Sequence, residues 1–499
     1  MPEELDRDLL SVQEARNLVK QAQAAEEAFV HFNQYQVDVI CASMAEAAYD
    51  QAERLGRMAV EETHLGVAEH KTIKNQFASR DLWMSIKDVR TEGVIRRDEA
   101  NKIIEIAWPF GVVAALVPTT NPTSTAIFKS LIAVKARNAI VFAPHPSAPK
   151  CTAETVRILA EAAEAAGAPK GLIGCMTHIS MEGTQELLKQ KAVRLIIATG
   201  GEAMVQYAHS VGKPALGVGP GNVPVYVDHS ADIEKAARDI VNSVNFDYGV
   251  ICAHEGAIIA DTPIADQLAK AMERNGAYFL SEEQADKLGK AMFRPNGLMQ
   301  SDFVGRSPQV LAERAGFKVP DDARILVVRL KEVGPNVPLS REKLAPVVAF
   351  YVEDGWQTGC DRCMETLDFG GWGHTMGIHC TQEDTIMQFG LVKPAFRIIV
   401  NGSTTMGAIG ATTNLAPSLT LATGGMGGGI SSDNISVHNL MNVKRIAYET
   451  RPFNPPIVYD RKPAPVQAAP ASAPAEKQSP ADLESLVRRV VRDELSHKG

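Results

Sequence analysis

Four apolar runs, at 112–117, 139–143, 171–175 and 194–198, constrain this chain more than any other feature. Segments of helical composition separate them, at 124–134, 152–166 and 183–191. A strand that is apolar along its whole length has no face for water, so both of its faces must be covered. A helix between two such strands returns the chain to its starting edge, so the strands run parallel. The pattern predicts an α/β domain with a parallel sheet between two helical layers.

Sheets of this kind bind ligands beyond the carboxyl ends of their strands, which directs attention to the loops after each run. Pro118-Thr119-Thr120-Asn121-Pro122 follows the first run, Pro144-His145-Pro146-Ser147 the second and Thr199-Gly200-Gly201-Glu202 the fourth. A further loop, Gly217-Val218-Gly219-Pro220-Gly221-Asn222, follows Ala215-Leu216. Small and hydroxylic residues let backbone approach a ligand closely. None of these loops spells G-x-G-x-x-G or a Walker A motif, and each taken singly reads as a turn. Their recurrence on one sheet edge is what points to a binding site.

The stretch Asn245-Phe246-Asp247-Tyr248-Gly249-Val250-Ile251-Cys252 precedes another apolar run at 256–260. It places Cys252 between a glycine-containing loop and a strand-like segment, rigid on one side and accessible on the other, as a nucleophile requires. A free cysteine is also commonly a small buried hydrophobe, so the stretch alone leaves both readings open. Residues 9–94 read as helices laid over a sheet, and 103–108 and 112–117 as two strands joined by a turn. The second half continues as mixed helix and strand to about residue 440, with a glycine-rich loop at 423–429 suited to ligand approach or to a lid.

The 7 cysteines, an odd number scattered along the chain, fit reduced thiols. Cys360 and Cys363 form one C-x-x-C with no second pair or histidine cluster, so it reads as structural and no metal site is expected. A formal net charge of -8 argues against nucleic acid as the main partner. No run of 18 apolar residues predicts a membrane span, and the acidic start at Glu3, Glu4, Asp6 and Asp8 lacks the order of a secretory signal, so an intracellular location is expected.

The motifs around Asn121, Ser147, Gly201 and Cys252, together with Glu342-Lys343-Leu344-Ala345-Pro346 and Gly373-His374-Thr375, resemble the aldehyde dehydrogenase superfamily. The resemblance is to its CoA-acylating branch, which includes the aldehyde dehydrogenase half of bifunctional aldehyde-alcohol dehydrogenases and the aldehyde enzymes of bacterial microcompartments. It runs in order over about residues 20–450. It implies N-terminal helices and a Rossmann-type NAD-binding domain in 1–245, and an α/β catalytic domain with a return segment in 246–452. A small β extension, built from a hairpin near 103–113 and distant strands, would make a dimer or tetramer.

By the same resemblance Cys252 is the nucleophile, and Asn121, with the Cys252 backbone N–H, donates to the oxyanion. Glu342 would hold the nicotinamide ribose, Pro118, Thr119, Thr120, Gly201 and Gly219 would line the dinucleotide, and His145 and Ser147 would meet the adenosine ribose. His374 stands as a candidate base for an incoming thiol, beside the plainer reading of a satisfied structural histidine. Glu342 as a helix cap and Asn121 as a turn residue are plainer readings too. Hydrolytic members carry a glutamate in an E-L-G-G motif, whereas residues 215–221 here hold no acid. Without that base water is a poor nucleophile toward a thioester, and the thiol of coenzyme A exchanges directly. The expected reaction converts a short aldehyde such as acetaldehyde or propionaldehyde, NAD+ and CoA to acyl-CoA and NADH. A sulfoacetaldehyde-acylating enzyme, a hydrolytic dehydrogenase and an inactive scaffold are the alternatives.

Residues 453–478 are rich in proline and alanine and read as an extended linker. At 479–499, Ser479-Pro480-Ala481-Asp482 opens a helix with Leu483, Leu486, Val487, Val490, Val491 and Leu495 on one stripe. So short a helix is marginal alone, and its apolar face needs a partner. The segment is similar to encapsulation peptides that dock enzymes onto microcompartment shell proteins. A helix folded back on its own body and a membrane-surface helix are the alternatives. The expected location is cytoplasmic, inside a bacterial microcompartment.

Overall fold

A computed structural model describes residues 6–451. The linker and helix expected at 453–478 and 479–499 lie outside the described residues. Strands, numbered in chain order, form three sheets. β1 (Val94–Asp98) pairs antiparallel with β2 (Ile103–Pro109), whose other edge takes β15 (Met441–Ala447).

β3 (Val112–Val117), β4 (Ala139–Pro144), β5 (Ile173–Cys175), β6 (Val193–Thr199) and β7 (Ala215–Val218) make a wholly parallel sheet in the order β5-β4-β3-β6-β7. The second parallel sheet contains β8 (Val223–Val227), β9 (Glu255–Asp261), β10 (Ala277–Phe279), β11 (Ile325–Arg329), β12 (Val347–Glu353), β13 (Gly373–His379) and β14 (Ala395–Val400). Its order is β10-β11-β12-β9-β8-β13-β14.

The first parallel sheet is the one the apolar runs predict. β3, β4 and β7 are buried at every residue. Right-handed crossovers put the helices Pro122–Lys135 and Pro149–Ala165 on one face and Met181–Lys189 and Glu202–Ser210 on the other. Pro122–Lys135 is buried along its whole length because the helix Gln34–Asp50 packs on its outer side. Strand order reverses at β3, with β4 on one side and β6 on the other. The loops after β3 and β6 therefore flank a crevice at a topological switch point.

Two expectations are corrected. The hairpin near 103–113 does not form, because β2 and β3 enter different sheets. The side-chain oxygen of Asn138 accepts from the N–H groups of Phe110 and Gly111, at 2.8 and 3.0 Å, and fixes the link between them as a passage. The hairpin partner of β2 is β1. The passage from the first parallel sheet to the second also comes earlier than 245, since β8 already pairs with β9. Its apolar run looks like those before it, and only tertiary pairing assigns it to the other sheet.

Candidate active site

The segment leading to Cys252 is held in an uncommon conformation. After the helix Ile233–Asn245 the chain takes three successive left-handed residues, Asp247 (φ 51°), Tyr248 (φ 50°) and Gly249 (φ 72°). Only glycine does this freely, and each non-glycine costs about 1–2 kcal/mol. Gly249 is also needed for space, because a Cβ there would sit 2.6 Å from the carbonyl oxygen of Ala345.

A buried polar cluster offsets the strain. The Asp247 carboxylate accepts from the Val67 N–H at 2.7 Å, from Lys71 Nζ at 2.9 Å and from Lys74 Nζ. The Asp247 N–H donates to His70 Nδ1 at 2.9 Å, and the His70 ring stacks on Phe246 with centroids 4.6 Å apart. Lys71 and Lys74 are each 2% exposed and Asp247 is fully buried. The chain thus reaches Cys252 on a fixed path and leaves it half-buried before β9 begins.

Asn121 occupies the cap position of the helix Pro122–Lys135, yet its side chain makes no cap. Its Oδ1 accepts from Lys74 Nζ at 2.6 Å, and its Nδ2 donates to the Val250 carbonyl at 2.9 Å and to Thr120 Oγ1 at 3.2 Å. The amide therefore joins the loop after β3 to the residues just before Cys252.

Glu342 does not cap a helix either; its carboxylate accepts from the Gly221 N–H at 2.9 Å. Burial pushes this carboxyl up to about 7, against the opposing pull of that N–H and of Lys343. A Cβ on Gly221 would collide with the carbonyl oxygen of Cys252 and lie 3.2 Å from the His374 ring. The acid-free segment 215–222 consequently passes directly against Cys252. His374 is fully buried, with Nδ1 3.0 Å from Thr375 Oγ1 and no partner for Nε2 among the described residues. Burial, reinforced by the charge of Arg397, pushes its pKa down to about 3, so the ring is neutral.

The Cys252 thiol feels opposing influences. Burial and then the Glu342 carboxylate push it up to about 12, while Arg397 and Lys74 favour the thiolate. Arg397 is a buried guanidinium held by neutral groups, including the Ala422 carbonyl at 2.7 Å and Thr375 Oγ1 at 3.3 Å. Sequence reasoning passed over Lys71, Lys74 and Arg397. Arg397 left a signal, since it interrupts an apolar strand run, whereas Lys71 and Lys74, three residues apart on one helix face, read as ordinary surface lysines. Cys252 also packs against an apolar cluster containing Phe77, Phe246 and Ile409. A cavity of about 130 Å³ opens on that cluster, lined by these residues, Met406, Lys74 and Arg80 among others.

The remaining predicted residues lie along the carboxyl edge of the first parallel sheet. Pro118, Thr119 and Thr120 follow β3, Gly201 follows β6 and Gly219 follows β7. A Cβ on Gly200, Gly201 or Gly219 would meet nothing within 4 Å, so the backbone there faces open space. His145 and Ser147 are exposed one strand further out, after β4, where His145 Nδ1 accepts the Ser147 N–H at 3.1 Å. Cys360 and Cys363 are buried in the helix Gly355–Gly370, and Lys393 Nζ contacts Cys360 Sγ. Among the described residues the group able to hold a metal is Asp228, His229 and Asp261, at the far end of β9 from Cys252. No described helix is long and apolar enough to cross a membrane.

The aldehyde-alcohol dehydrogenase 2 of Entamoeba histolytica is 43% identical over 441 residues, covering 86% of this chain and 51% of that protein. The chain thus spans about half the length of such relatives. The acetylating succinate-semialdehyde dehydrogenase of Clostridium kluyveri is 36% identical, covering 87% of this chain and 95% of that one. The crystal structure of an acetylating aldehyde dehydrogenase from Geobacillus thermoglucosidasius matches with a TM-score of 0.89 and 51% identity, over 91% of this chain and 100% of that one. The model of the aldehyde dehydrogenase family matches residues 8–279, and with these relatives it shows that the chain belongs to that family.

Proposed function

We propose that this chain oxidises a short aldehyde to its acyl-CoA, with NAD+ as oxidant. The observation that favours acylation over hydrolysis is the segment 215–222, which touches Cys252 at Gly221 yet carries no carboxylate to activate water. Cys252 gives up its proton to water, Arg397 and Lys74 favouring the thiolate, and the sulfur adds to the aldehyde carbonyl carbon; a C–S bond forms and the π electrons move to oxygen. Asn121 Nδ2, exchanging its longer bond to Thr120 Oγ1, and the Cys252 N–H are the donors for that oxygen. Glu342 and the backbone at Pro118, Thr119, Thr120, Gly201 and Gly219 would hold the nicotinamide cofactor, with His145 and Ser147 at its adenosine end. The cofactor supplies a two-electron acceptor for the hydride.

Cys252 then carries the acyl group as a thioester. The CoA sulfur adds to the thioester carbonyl as its proton passes to water, and Cys252 leaves as thiolate; the neutral His374, with Nε2 unpartnered among the described residues, is the candidate acceptor that orients the incoming thiol. The apolar cluster of Phe77, Phe246 and Ile409 against which Cys252 packs favours acetaldehyde or propionaldehyde. Exposed Trp108, Val443 and Ile446 on β2 and β15 support a homo-oligomer built through the outlying sheet. Docking on a microcompartment shell rests on the apolar stripe at 483–495.

Propionaldehyde and NAD+ mixed with the chain, with and without CoA, test the reaction. NADH formation continues beyond one turnover only with CoA, and is slower without it by about 10²-fold or more, the typical contribution of a missing general base. Sustained NADH formation at an equal rate without CoA would sink the acylating reading.

A further inference from the structure

We infer that Lys74 is a positioning residue: its ammonium turns the Asn121 amide so that Nδ2, and not Oδ1, is presented to the oxygen of the carbonyl bound at Cys252. The inference rests on the proposed role of Asn121 as oxyanion donor. An ammonium only donates and a backbone carbonyl only accepts. Lys74 Nζ, 2.6 Å from the amide, therefore selects Oδ1, and the Val250 carbonyl, 2.9 Å away on the other side, selects Nδ2. The two contacts specify one orientation from opposite ends. Turned over, the amide would put a lone pair where negative charge develops, replacing attraction with repulsion.

The rest of the cluster does not need Lys74 for its integrity. Asp247 keeps the Lys71 ammonium and the Val67 N–H when Lys74 is removed. Lys71 Nζ also holds the Thr120 carbonyl at 2.8 Å, so the loop backbone stays in place. Lys71 supplies neutralisation; Lys74 supplies direction to the amide, its own charge being the weakest of the influences on the Cys252 sulfur.

A double-mutant cycle on the full chain, with propionaldehyde, NAD+ and CoA, tests this. Asn121→Ala and Lys74→Met each lower kcat by about 10²–10³-fold, the usual cost of one oxyanion donor, with KM for CoA little changed. The double variant falls no further than Asn121→Ala within about threefold, because Lys74 acts through an amide already gone. Lys74→Gln, whose Nε2 still donates to Oδ1, recovers at least about tenfold over Lys74→Met, since about 1.4 kcal/mol of a retained hydrogen bond is a factor of ten. Losses that multiply in the double variant, or a Lys74→Gln as slow as Lys74→Met, overturn the inference while leaving Asn121 as the donor. An unchanged kcat in Asn121→Ala overturns both. Lys74→Ser, small enough to admit water at the vacated ammonium, takes the place of Lys74→Met in the cycle if that variant does not fold.

Discussion

Cys252→Ser lowers kcat for CoA-dependent aldehyde oxidation by about 10⁴-fold or more, the order of loss seen when a covalent nucleophile is removed. The hydroxyl that replaces the thiol has no base placed to ionise it. Glu342 is held by the Gly221 N–H, and burial with the charge of Arg397 leaves His374 far too weak a base for a hydroxyl. Arg397 and Lys74 can bias a thiol toward thiolate, but a serine hydroxyl lies far beyond their reach. The change removes almost no volume at a half-buried position, so stability moves by no more than about 1 kcal/mol. NADH absorbance and a thermal melt on the same sample separate the two effects. A catalytically inactive scaffold would lose nothing on this substitution.

Asp247→Ala destabilises the fold by about 3–5 kcal/mol, because it leaves buried charge without its counter-ion. Lys71 and Lys74 would remain with no anion between them, and alanine would have to hold the left-handed backbone that aspartate tolerates. Burial alone would raise the Asp247 carboxyl, but the ammonium groups of Lys74 and Lys71 outweigh it and hold the pKa below the ordinary value. The contribution is therefore fully present above pH ~4 and is lost as pH falls through the depressed native value. Urea unfolding shows a larger gap between wild type and variant at pH 7 than at acid pH. An equal gap at both would mean that charge pairing is not what Asp247 contributes.

The parallel sheet was legible because burial on both faces leaves a local imprint, continuous apolar runs such as 112–117 and 139–143. The loops that gather at its carboxyl edge were legible for the same reason, since topology fixes where they must meet. Pairing partners left no such imprint. β2 reads as a strand, but its second neighbour begins at Met441, and nothing near residue 103 announces it. The acid-free segment 215–221 was visible as composition, while its contact with Cys252 through Gly221 was not. Lys71 and Lys74 look like ordinary surface lysines until Asp247, far along the chain, turns inward to meet them. Buried ionic clusters depend on residues remote in sequence, so local periodicity does not report them.

In the proposed reaction an acyl group passes through the sulfur at position 252. The full chain incubated with propionaldehyde and NAD+ but no CoA, then acid-quenched and digested, is read by mass spectrometry. The predicted result is one propionyl group per chain on the peptide carrying Cys252, which disappears on addition of CoA as propionyl-CoA forms. A propionyl group on another cysteine, or one on Cys252 that CoA does not remove, would contradict the account.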